Sequence, residues 1–407
     1  MATIAVLGTL DTKGEEHGYV ASLIRARGHQ TLLIDVGALD APRVEPDIPR
    51  TEIATAAGAD LDAIVARRDR GEAVAAMTRG APVVVSRLQQ QGRIDAIISL
   101  GGGGGTAICT AAMRALPIGF PKLMVSTLAS GNTAPYVGVK DIVMMPSVVD
   151  VAGLNRLSRR LLAQAAGAIC GMVEAQVPPD AADKPVIVAS QFGNTTPCVT
   201  AARKRLEDAG YEVMIFAATG NGGRTMESLI EAGVASGVFD ITTTEWADEL
   251  VGGVLTAGPT RCDAAARHGV PAILTPGCLD MVNFGEPASV PSKFKDRRFY
   301  HHNAQVTLMR TNPEECAELG RILAAKCNAS TGPVSVLIPL RGISVISAPG
   351  QPFHWPEADA ALFGEWKRNL RPGIPVIEYD GNINDPEFAR LCVAELLRLI
   401  ATVPSNR

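Results

Sequence analysis

The chain has 407 residues, of which 47% are hydrophobic and 20% charged, and its formal net charge is −4. This length exceeds what one hydrophobic core usually supports, and the composition is that of a globular protein. Scattered Lys and Arg residues and an aromatic content of only 4% argue against nucleic acid as a partner. No apolar run approaches the roughly 20 residues that span a bilayer, so we expect no membrane partner either.

The eight cysteines are widely separated and show neither CxxC nor zinc-like spacing. The first residues, MATIAVLGTLDTKG, have a strand pattern without the basic and cleavage regions of a secretion signal. Together these features predict reduced thiols and a cytoplasmic protein.

Short β-rich runs alternate with helical patterns along the whole chain. In the first half we predict strands at 4–7, 31–35, 96–100, 122–126 and 142–144, with helices at 15–27, 60–67, 72–91 and 106–115. In the second half we predict strands at 186–190, 212–216, 238–244, 271–275, 304–309, 334–339 and 375–379, with helices between them such as 197–209 and 226–235. This alternation predicts an α/β protein with mostly parallel sheets flanked by helices.

A proline-containing stretch, VEAQVPPDAADKP, separates the two halves. Because proline interrupts helices, we place a domain boundary near residue 180, giving domains 1–180 and 181–407. The segments SGNTAPYV (130–137) and FGNTTPCV (192–199) share the pattern GNTxPxV, a weak indication that the halves are related.

Small polar residues and glycines follow the predicted strands of the first half. Parallel α/β sheets bind ligands at the carboxyl ends of their strands, so these residues should converge at one edge. Backbone amides at helix N-termini bind phosphate, and glycine permits close approach. A nucleotide or phosphorylated ligand is favoured over a purely structural loop, with binding residues predicted at Gly8, Thr9, Asp11, Thr12, Lys13, Asp35, Gly102, Gly103, Gly104, Gly105, Thr106, Thr127, Ser130, Gly131, Asn132 and Thr133.

Within this set, Lys13 supplies a positive charge, and Asp11 is the candidate ligand for Mg²⁺. Asp35 ends the second predicted strand, where ribose hydroxyls are commonly bound. The run GGGGGT follows the third strand rather than the first, so it does not match a dinucleotide-binding fingerprint.

The second half carries its own polar strand-end loops. Glu245, Asp280 and His302 are candidate catalytic residues, with Asp280 placed to orient a histidine base. His301 and His302 are adjacent, so at most one of them is expected to face a pocket. For each of these residues a structural role remains an alternative. Candidate substrate-binding residues are Asn194, Thr195, Gly222, Arg224, Asn283 and Arg341.

Six segments give the chain a family resemblance over nearly its whole length: VLGTLDTKGEE, GGGGGT, ASGNTAPYVG, TPGCLDMVNFG, FYHHNAQVTLMRTN and PGQPFHWPEADAALF. They resemble a poorly characterised bacterial, fungal and plant family that includes the N-terminal, ATP-binding inhibitory domain of the tomato mosaic virus resistance protein. The resemblance implies two Rossmann-like domains, Mg²⁺ and ATP bound in the first, and a homodimer or higher homo-oligomer.

Three hypotheses about function follow. The first is an ATP-dependent enzyme, such as a transferase or ligase, acting on a small organic or sugar acid between the two domains. The second is a non-catalytic module in which ATP stabilises a protein-binding surface. The third is a nucleotide-independent lyase or hydrolase that uses the His, Asp and Glu residues of the second half.

Overall fold

The computed structural model describes residues 1–37, 39–176 and 184–403. The chain divides into two compact units, Met1–Pro179 and Asp180–Arg407. The boundary predicted near residue 180 lies outside the described residues. Each unit has its own parallel sheet covered by helices, which confirms the predicted α/β class.

The described part of the first unit contains a five-stranded sheet in the order β2-β1-β3-β4-β5, with every neighbouring pair parallel. Its strands are β1 Thr3–Gly8, β2 Gln30–Asp35, β3 Ala96–Gly101, β4 Lys122–Ser126 and β5 Val143–Pro146. Its helices are α1 Leu10–Ala26, α2 Arg50–Ala56, α3 Leu61–Arg67, α4 Arg70–Gln90, α5 Gly103–Arg114, α6 Ala134–Val137 and α7 Arg156–Glu174.

The strand order places a ligand crevice in this sheet. The chain leaves β1 toward β2 on one side and returns to β3 on the other, so the crevice opens between β1 and β3 at their carboxyl ends. The central strands are apolar and buried because helices cover both faces. Helices α4 and α5 pack on one face, and α1 and α7 pack on the other.

The described part of the second unit contains a six-stranded parallel sheet in the order β14-β13-β9-β8-β6-β7. Its strands are β6 Val186–Gln191, β7 Glu212–Ala217, β8 Ala235–Thr242, β9 Ala272–Gly277, β13 Val334–Pro339 and β14 Val376–Tyr379. A separate antiparallel sheet contains β10 Met281–Phe284, β11 Phe299–Asn303 and β12 Val306–Arg310. The helices are α8 Thr196–Asp208, α9 Asn221–Glu231, α10 Glu245–Val251, α11 Asp263–His268, α12 Pro313–Asn328, α13 Pro356–Asn369 and α14 Pro386–Ile400.

Both parallel sheets begin with the same connectivity, since β6, β7 and β8 are arranged as β1, β2 and β3 are. The GNTxPxV segments are nevertheless not equivalent. The first segment follows β4, which is fourth in chain order among the strands of its sheet. The second segment follows β6, which is first in chain order among the strands of its sheet. The shared pattern therefore does not mark a repeat of corresponding loops.

Several other local predictions differ from the structure. Helix α1 begins at Leu10 rather than at residue 15, and α9 begins at Asn221 rather than at residue 226. The strand predicted at 304–309 belongs to the antiparallel sheet as β12, and β10 and β11 beside it were not predicted. Helix α5 begins at Gly103 rather than at residue 106, so three glycines of the run form its first turn. Among the described residues, no helix is both long and apolar enough to cross a membrane.

Candidate functional site

A cavity of about 710 Å³ opens at the carboxyl edge of the first sheet. Its walls come from the segments after β1, β2, β3, β4 and β5 and from the start of α4. Predicted binding residues from three different loops meet there, at Thr9, Asp11, Thr12, Lys13, Gly102, Gly103, Gly104, Gly105, Thr127 and Ser130. The convergence expected from strand topology is present in the structure.

The glycine run forms the N-terminal end of α5 on the cavity wall. Gly102 is the N-cap and provides no side-chain cap, and helical bonding begins with the Thr106 amide, which donates to the Gly102 carbonyl at 2.8 Å. The amides before Thr106 therefore have no acceptor within the helix. A methyl group placed on Gly103 would meet no atom within 4 Å, so this residue presents its backbone to open space. An anion can approach these amides directly.

The turn from β1 into α1 faces the same space. Thr12 donates a side-chain hydrogen bond to the Thr9 hydroxyl at 3.1 Å, and its amide bonds the Thr9 carbonyl. The backbone at Lys13 departs from helical geometry (φ −129°, ψ 27°), and the Lys13 ammonium donates to the Val151 carbonyl. A hydroxyl pair and a cation thus lie on the β1 side of the cavity.

Asp11 is buried beside this turn and has one unused oxygen. Its Oδ2 accepts a hydrogen bond from the Leu39 amide at 3.2 Å, whereas its Oδ1 has no partner among the described residues. Gly37 lies so close to this carboxylate that an added methyl group would fall 2.5 Å from Asp11 Cγ. A buried carboxylate oxygen without a partner is a costly arrangement unless a ligand or ion completes it.

Arg70 is a cation of the site that the sequence did not single out. It is the first residue of α4, is exposed, and lines the cavity close to the position where a Gly104 side chain would lie. A cation at a helix N-terminus opposes the helix dipole. The sequence carried no signal for Arg70, because the helix was predicted to begin at residue 72 and the position of Arg70 at the cavity depends on how α4 packs.

Another part of the cavity lining comes from the loops after β4 and β5. Thr127 and Ser130 follow β4, and Ser147 and Asp150 follow β5. The Ser147 side chain is buried, and its hydroxyl has no hydrogen-bond partner among the described residues. Val148 has a left-handed φ of 63°, a strained conformation for a β-branched residue. No residue of the β5 loop was predicted from the sequence as a binding residue.

Some predicted binding residues have structural roles instead. Gly8 does not line the cavity, because the His17 ring packs where its side chain would be, 2.0 Å from an added methyl carbon. Thr106 is buried, and its hydroxyl bonds the Ser126 hydroxyl at 2.7 Å. Gly131, Asn132 and Thr133 lie beyond Ser130, outside the cavity lining.

The prediction for Asp35 also needs correction. Its carboxylate is fully buried and accepts hydrogen bonds from the Leu10 amide at 3.1 Å and the Gly37 amide at 2.8 Å. Burial raises the pKa of Asp35 to about 6. Asp35 therefore joins the loops after β1 and β2 and does not face the cavity.

Glu245 belongs to a buried ionic cluster in the second unit. Its carboxylate accepts hydrogen bonds from the Gly220 and Gly223 amides at 2.7 and 3.1 Å, and from Arg261 Nε at 2.7 Å. Arg261 is itself buried and pairs with both oxygens of Asp240, at 2.6 and 2.7 Å. Because every oxygen of Glu245 is occupied within the protein, the catalytic role predicted for it is not supported.

Asp280 and His302 do not form the predicted pair. Asp280 is fully buried, accepts a hydrogen bond from the Ser344 hydroxyl at 2.8 Å, and has its pKa raised to about 6 by burial. His302 is exposed on β11, as is His301, and its ring lies 6.5 Å from that of Tyr300. The carboxylate that was expected to orient the histidine lies in the core instead.

The remaining residues predicted to bind substrate are either bonded within the protein or lie apart from one another. The Thr195 hydroxyl bonds Thr242 at 2.8 Å inside the core, and Asn283 donates its side-chain amide to Asp248 at 2.7 Å. Arg341 pairs with Asp380 at the surface, and an added methyl group on Gly222 would lie 1.8 Å from the Ala217 carbonyl oxygen. Asn194 is half-buried beside Met281, and Arg224 is exposed on α9 beside Asn221.

Two family models match nearly all of the chain. The N-terminal domain of the uncharacterised protein family UPF0261 matches residues 2–178, and its C-terminal domain matches residues 184–400. A UPF0261 protein of Clostridium tetani is 48% identical over 98% of both chains. Another from Mesorhizobium japonicum is 49% identical over 97% of this chain and 99% of its own.

A plant protein is similar over a smaller part of its length. The ToMV resistance protein Tm-1 of Solanum lycopersicum is 41% identical over 81% of this chain and 45% of its own length. Among solved structures, UDP-N-acetylglucosamine 2-epimerase from Rickettsia bellii is 12% identical with a TM-score of 0.23, covering 67% of this chain and 78% of its own. That structural likeness is too low to carry an argument about function.

Proposed function

The chain belongs to the UPF0261 family, and we propose that its first unit binds ATP with Mg²⁺ and uses it in an enzymatic reaction. The observation that carries this proposal is the cavity lined by the free amides of Gly103, Gly104 and Gly105 and by two cations, Lys13 and Arg70. This combination suits a chain of phosphates, because amides and cations together balance several negative charges.

The cavity also has a wall suited to a nucleoside. Val36, Leu39, Ala73, Val74 and Ile108 form an apolar surface beside the glycine amides. An aromatic base can pack there while its phosphates lie over the N-terminal end of α5. A volume of about 710 Å³ is within the range of small-molecule and cofactor sites.

Asp11 is the residue that would hold Mg²⁺. Among the described residues there is no group of three or more His, Cys, Asp or Glu side chains able to bind a metal ion. Mg²⁺ usually needs only one or two carboxylates when substrate phosphates and water complete its coordination. The free Oδ1 of Asp11 fits that requirement. Bound in this position, Mg²⁺ would neutralise phosphate charge.

Turnover of ATP distinguishes the enzyme hypothesis from the hypothesis of a non-catalytic ATP-binding module. The polar wall formed by the β4 and β5 loops favours the enzyme, because binding a nucleotide alone does not need a second polar surface. The nucleotide-independent lyase or hydrolase is disfavoured, because Glu245 and Asp280 are buried while His302 is exposed. The earlier expectation of an acid substrate contacting the second unit has no support from the positions of its candidate residues.

A cytoplasmic location and a homo-oligomer remain parts of the proposal. All eight cysteines are free and buried, which agrees with a reducing compartment. The homodimer rests on the family resemblance, and light scattering after size-exclusion chromatography tests it directly.

Calorimetric titration with ATP, with and without Mg²⁺, tests the proposed site. We expect saturable binding to the unchanged protein and its loss in Gly103→Val, because Gly103 lines the cavity and the new side chain would occupy open space beside the glycine amides. Gly103 is the better position than Gly104, where an added methyl group would already lie 3.4 Å from Val74.

Gly171→Val is the matched control. Gly171 is also helical and exposed, an added methyl group there meets no atom within 4 Å, and it lies outside the cavity. It should leave ATP binding unchanged. Equal affinity of Gly103→Val and Gly171→Val for ATP would contradict the proposed site.

A further inference from the structure

The part of the cavity lined by the loops after β4 and β5 has the features of a second binding site. It consists of Thr127 and Ser130 after β4 and Ser147 and Asp150 after β5, which we call the acceptor subsite. Its residues are hydroxyls and one exposed carboxylate. Of the two cations of the cavity, Arg70 belongs to α4, whereas the Lys13 side chain extends from α1 to the β5 loop and donates to the Val151 carbonyl.

Ser147 gives independent evidence that a ligand belongs there. It is only 6% exposed, and its hydroxyl has no hydrogen-bond partner among the described residues although it lines the cavity. A buried hydroxyl normally has a partner, so this one indicates a missing polar group. The next residue, Val148, is 72% exposed and has a φ of 63°. Strain of this kind is concentrated at ligand sites, where the surrounding structure maintains it.

The chemistry of the acceptor subsite selects the class of ligand. Several hydroxyls and a carboxylate match the hydroxyl groups of a polyol or sugar, each of which both donates and accepts hydrogen bonds. A carboxylic acid is less well matched, because the side chains of the subsite carry one negative charge, Asp150, and Lys13 already donates to the Val151 carbonyl. We propose that the acceptor subsite binds a neutral polyhydroxylated compound and that ATP phosphorylates one of its hydroxyls.

This inference rests on the proposed function, which places ATP against the glycine amides. In the reaction, a hydroxyl oxygen of the polyol forms a bond to the γ-phosphorus, and the bond from that phosphorus to the β–γ bridging oxygen breaks. The products are ADP and a phosphomonoester. The proton of the hydroxyl passes to the Asp150 carboxylate, which acts as general base and releases it to solvent. Positioning and charge stabilisation supply most of the catalysis in such transfers.

A panel of acceptors tests the substrate class. Glycerol, erythritol, xylitol, ribose and glucose are each supplied with ATP and Mg²⁺, alongside the acids glycerate, gluconate and glucuronate. The readouts are ADP release, phosphorus NMR of the product, and calorimetric binding of the acceptor in the presence of ADP. We expect at least one neutral compound to bind and to yield a phosphomonoester. Turnover of the acids alone, or of no compound in the panel, would overturn the proposal.

Two variants test the roles proposed for Asp150 and Ser147. Asp150→Asn should lower the rate of phosphoryl transfer by roughly 100-fold or more, as expected for loss of a general base. Ser147→Ala should weaken binding of the active acceptor by roughly five-fold, the effect of one hydrogen bond. Glu45→Gln, which removes an exposed carboxylate outside the cavity, is the control and should match the unchanged protein. Unaltered transfer in Asp150→Asn would remove its role as base.

These experiments distinguish a failure of the proposed ATP site from a failure of the acceptor subsite. If the unchanged protein does not bind ATP, the proposed function fails and this inference fails with it. If it binds ATP through Gly103 but phosphorylates no polyol, only the acceptor subsite is contradicted.

Discussion

At the scale of single residues, the glycine run is not explained by an unusual backbone conformation. None of the glycines from 101 to 105 has a left-handed φ, so none is required by conformation. Gly101 is tightly packed, since an added methyl group would lie 3.1 Å from the Gly105 Cα, whereas Gly103 faces open space. Each glycine in a helix costs about 0.5–1 kcal/mol relative to alanine. A ligand bound to the exposed amides would offset that cost.

Arg70 provides a prediction at the same scale. Replacing it by methionine keeps the aliphatic part of the side chain but removes the charge and its hydrogen bonds. Because hydrogen bonds to charged groups contribute about 1.5–3 kcal/mol, Arg70→Met should weaken ATP binding roughly 10- to 100-fold by calorimetry. Arg79→Met, at an exposed position on the same helix outside the cavity, should have no such effect. Equal affinities in the two variants would exclude Arg70 from the site.

At the scale of helices and strands, the buried cluster around Arg261 joins separate segments of the second unit. Glu227 lies on α9, Asp240 on β8 and Glu245 on α10, and all three contact Arg261. Burial raises the pKa of Glu227. Removing one member of such a network leaves other buried groups without partners, which is strongly destabilising.

Glu245→Ala should therefore lower the free energy of unfolding of the second unit by about 3 kcal/mol without changing ATP affinity. Tryptophan fluorescence during urea unfolding reports on this unit, because all three tryptophans, Trp246, Trp355 and Trp366, belong to it. Glu231→Ala is the control, since it breaks only an exposed pair with Arg267 and should change stability by less than about 1 kcal/mol. If Glu245→Ala unfolded like Glu231→Ala, Glu245 would not be a structural residue.

The elements that the sequence predicted well are those with strong local signals. Strands β1, β3 and β4 are continuous apolar runs buried on both faces, and they were located to within one or two residues. The start of α5 was placed too late because glycine has low helix propensity, although tertiary contacts form the helix there. The short strands β10 and β11 each pair with β12 in the antiparallel sheet. No tight-turn sequence joins β10 to β11, so no local signal predicts these two strands.

The site was partly predictable for the same reason. The carboxyl ends of parallel strands meet at one edge, so the residues after β1, β3 and β4 were expected together. Ser147 obeys the same rule, since it follows β5, although no residue after the strand predicted at 142–144 was selected. Arg70 does not follow a strand, and its contribution depends on how α4 packs. The polar residues of the second unit were overinterpreted, since sequence alone does not distinguish a buried ionic network from an open site.

At the scale of the whole molecule, buried carboxyl groups make stability depend on pH. Burial raises the pKa of Asp248 to about 7, and that of Asp35 and Asp280 to about 6. In the unfolded chain these groups titrate near 4. Between about pH 4 and 7 these three groups bind more protons in the folded protein than in the unfolded chain, so their contribution to stability falls as pH rises.

This effect is testable in the second unit, which contains Asp248 and Asp280. Urea unfolding followed by tryptophan fluorescence should show a free energy of unfolding that decreases from pH 4.5 to 7.5, by at most about 1.4 kcal/mol per pH unit for each group. Asp248→Asn should flatten part of that decrease, because the new side chain does not ionise. A pH profile that is identical in Asp248→Asn would show that Asp248 does not titrate in this range.

The most direct test of the ATP site observes the glycine amides themselves. In protein labelled with ¹⁵N-glycine, resonances of Gly102, Gly103, Gly104 and Gly105 are assigned by single alanine substitutions and followed during titration with ATP and Mg²⁺. We predict saturable shifts of these amides with one common dissociation constant, as expected when they donate hydrogen bonds to phosphate oxygens. Binding of ATP that leaves all four resonances in place would contradict the site.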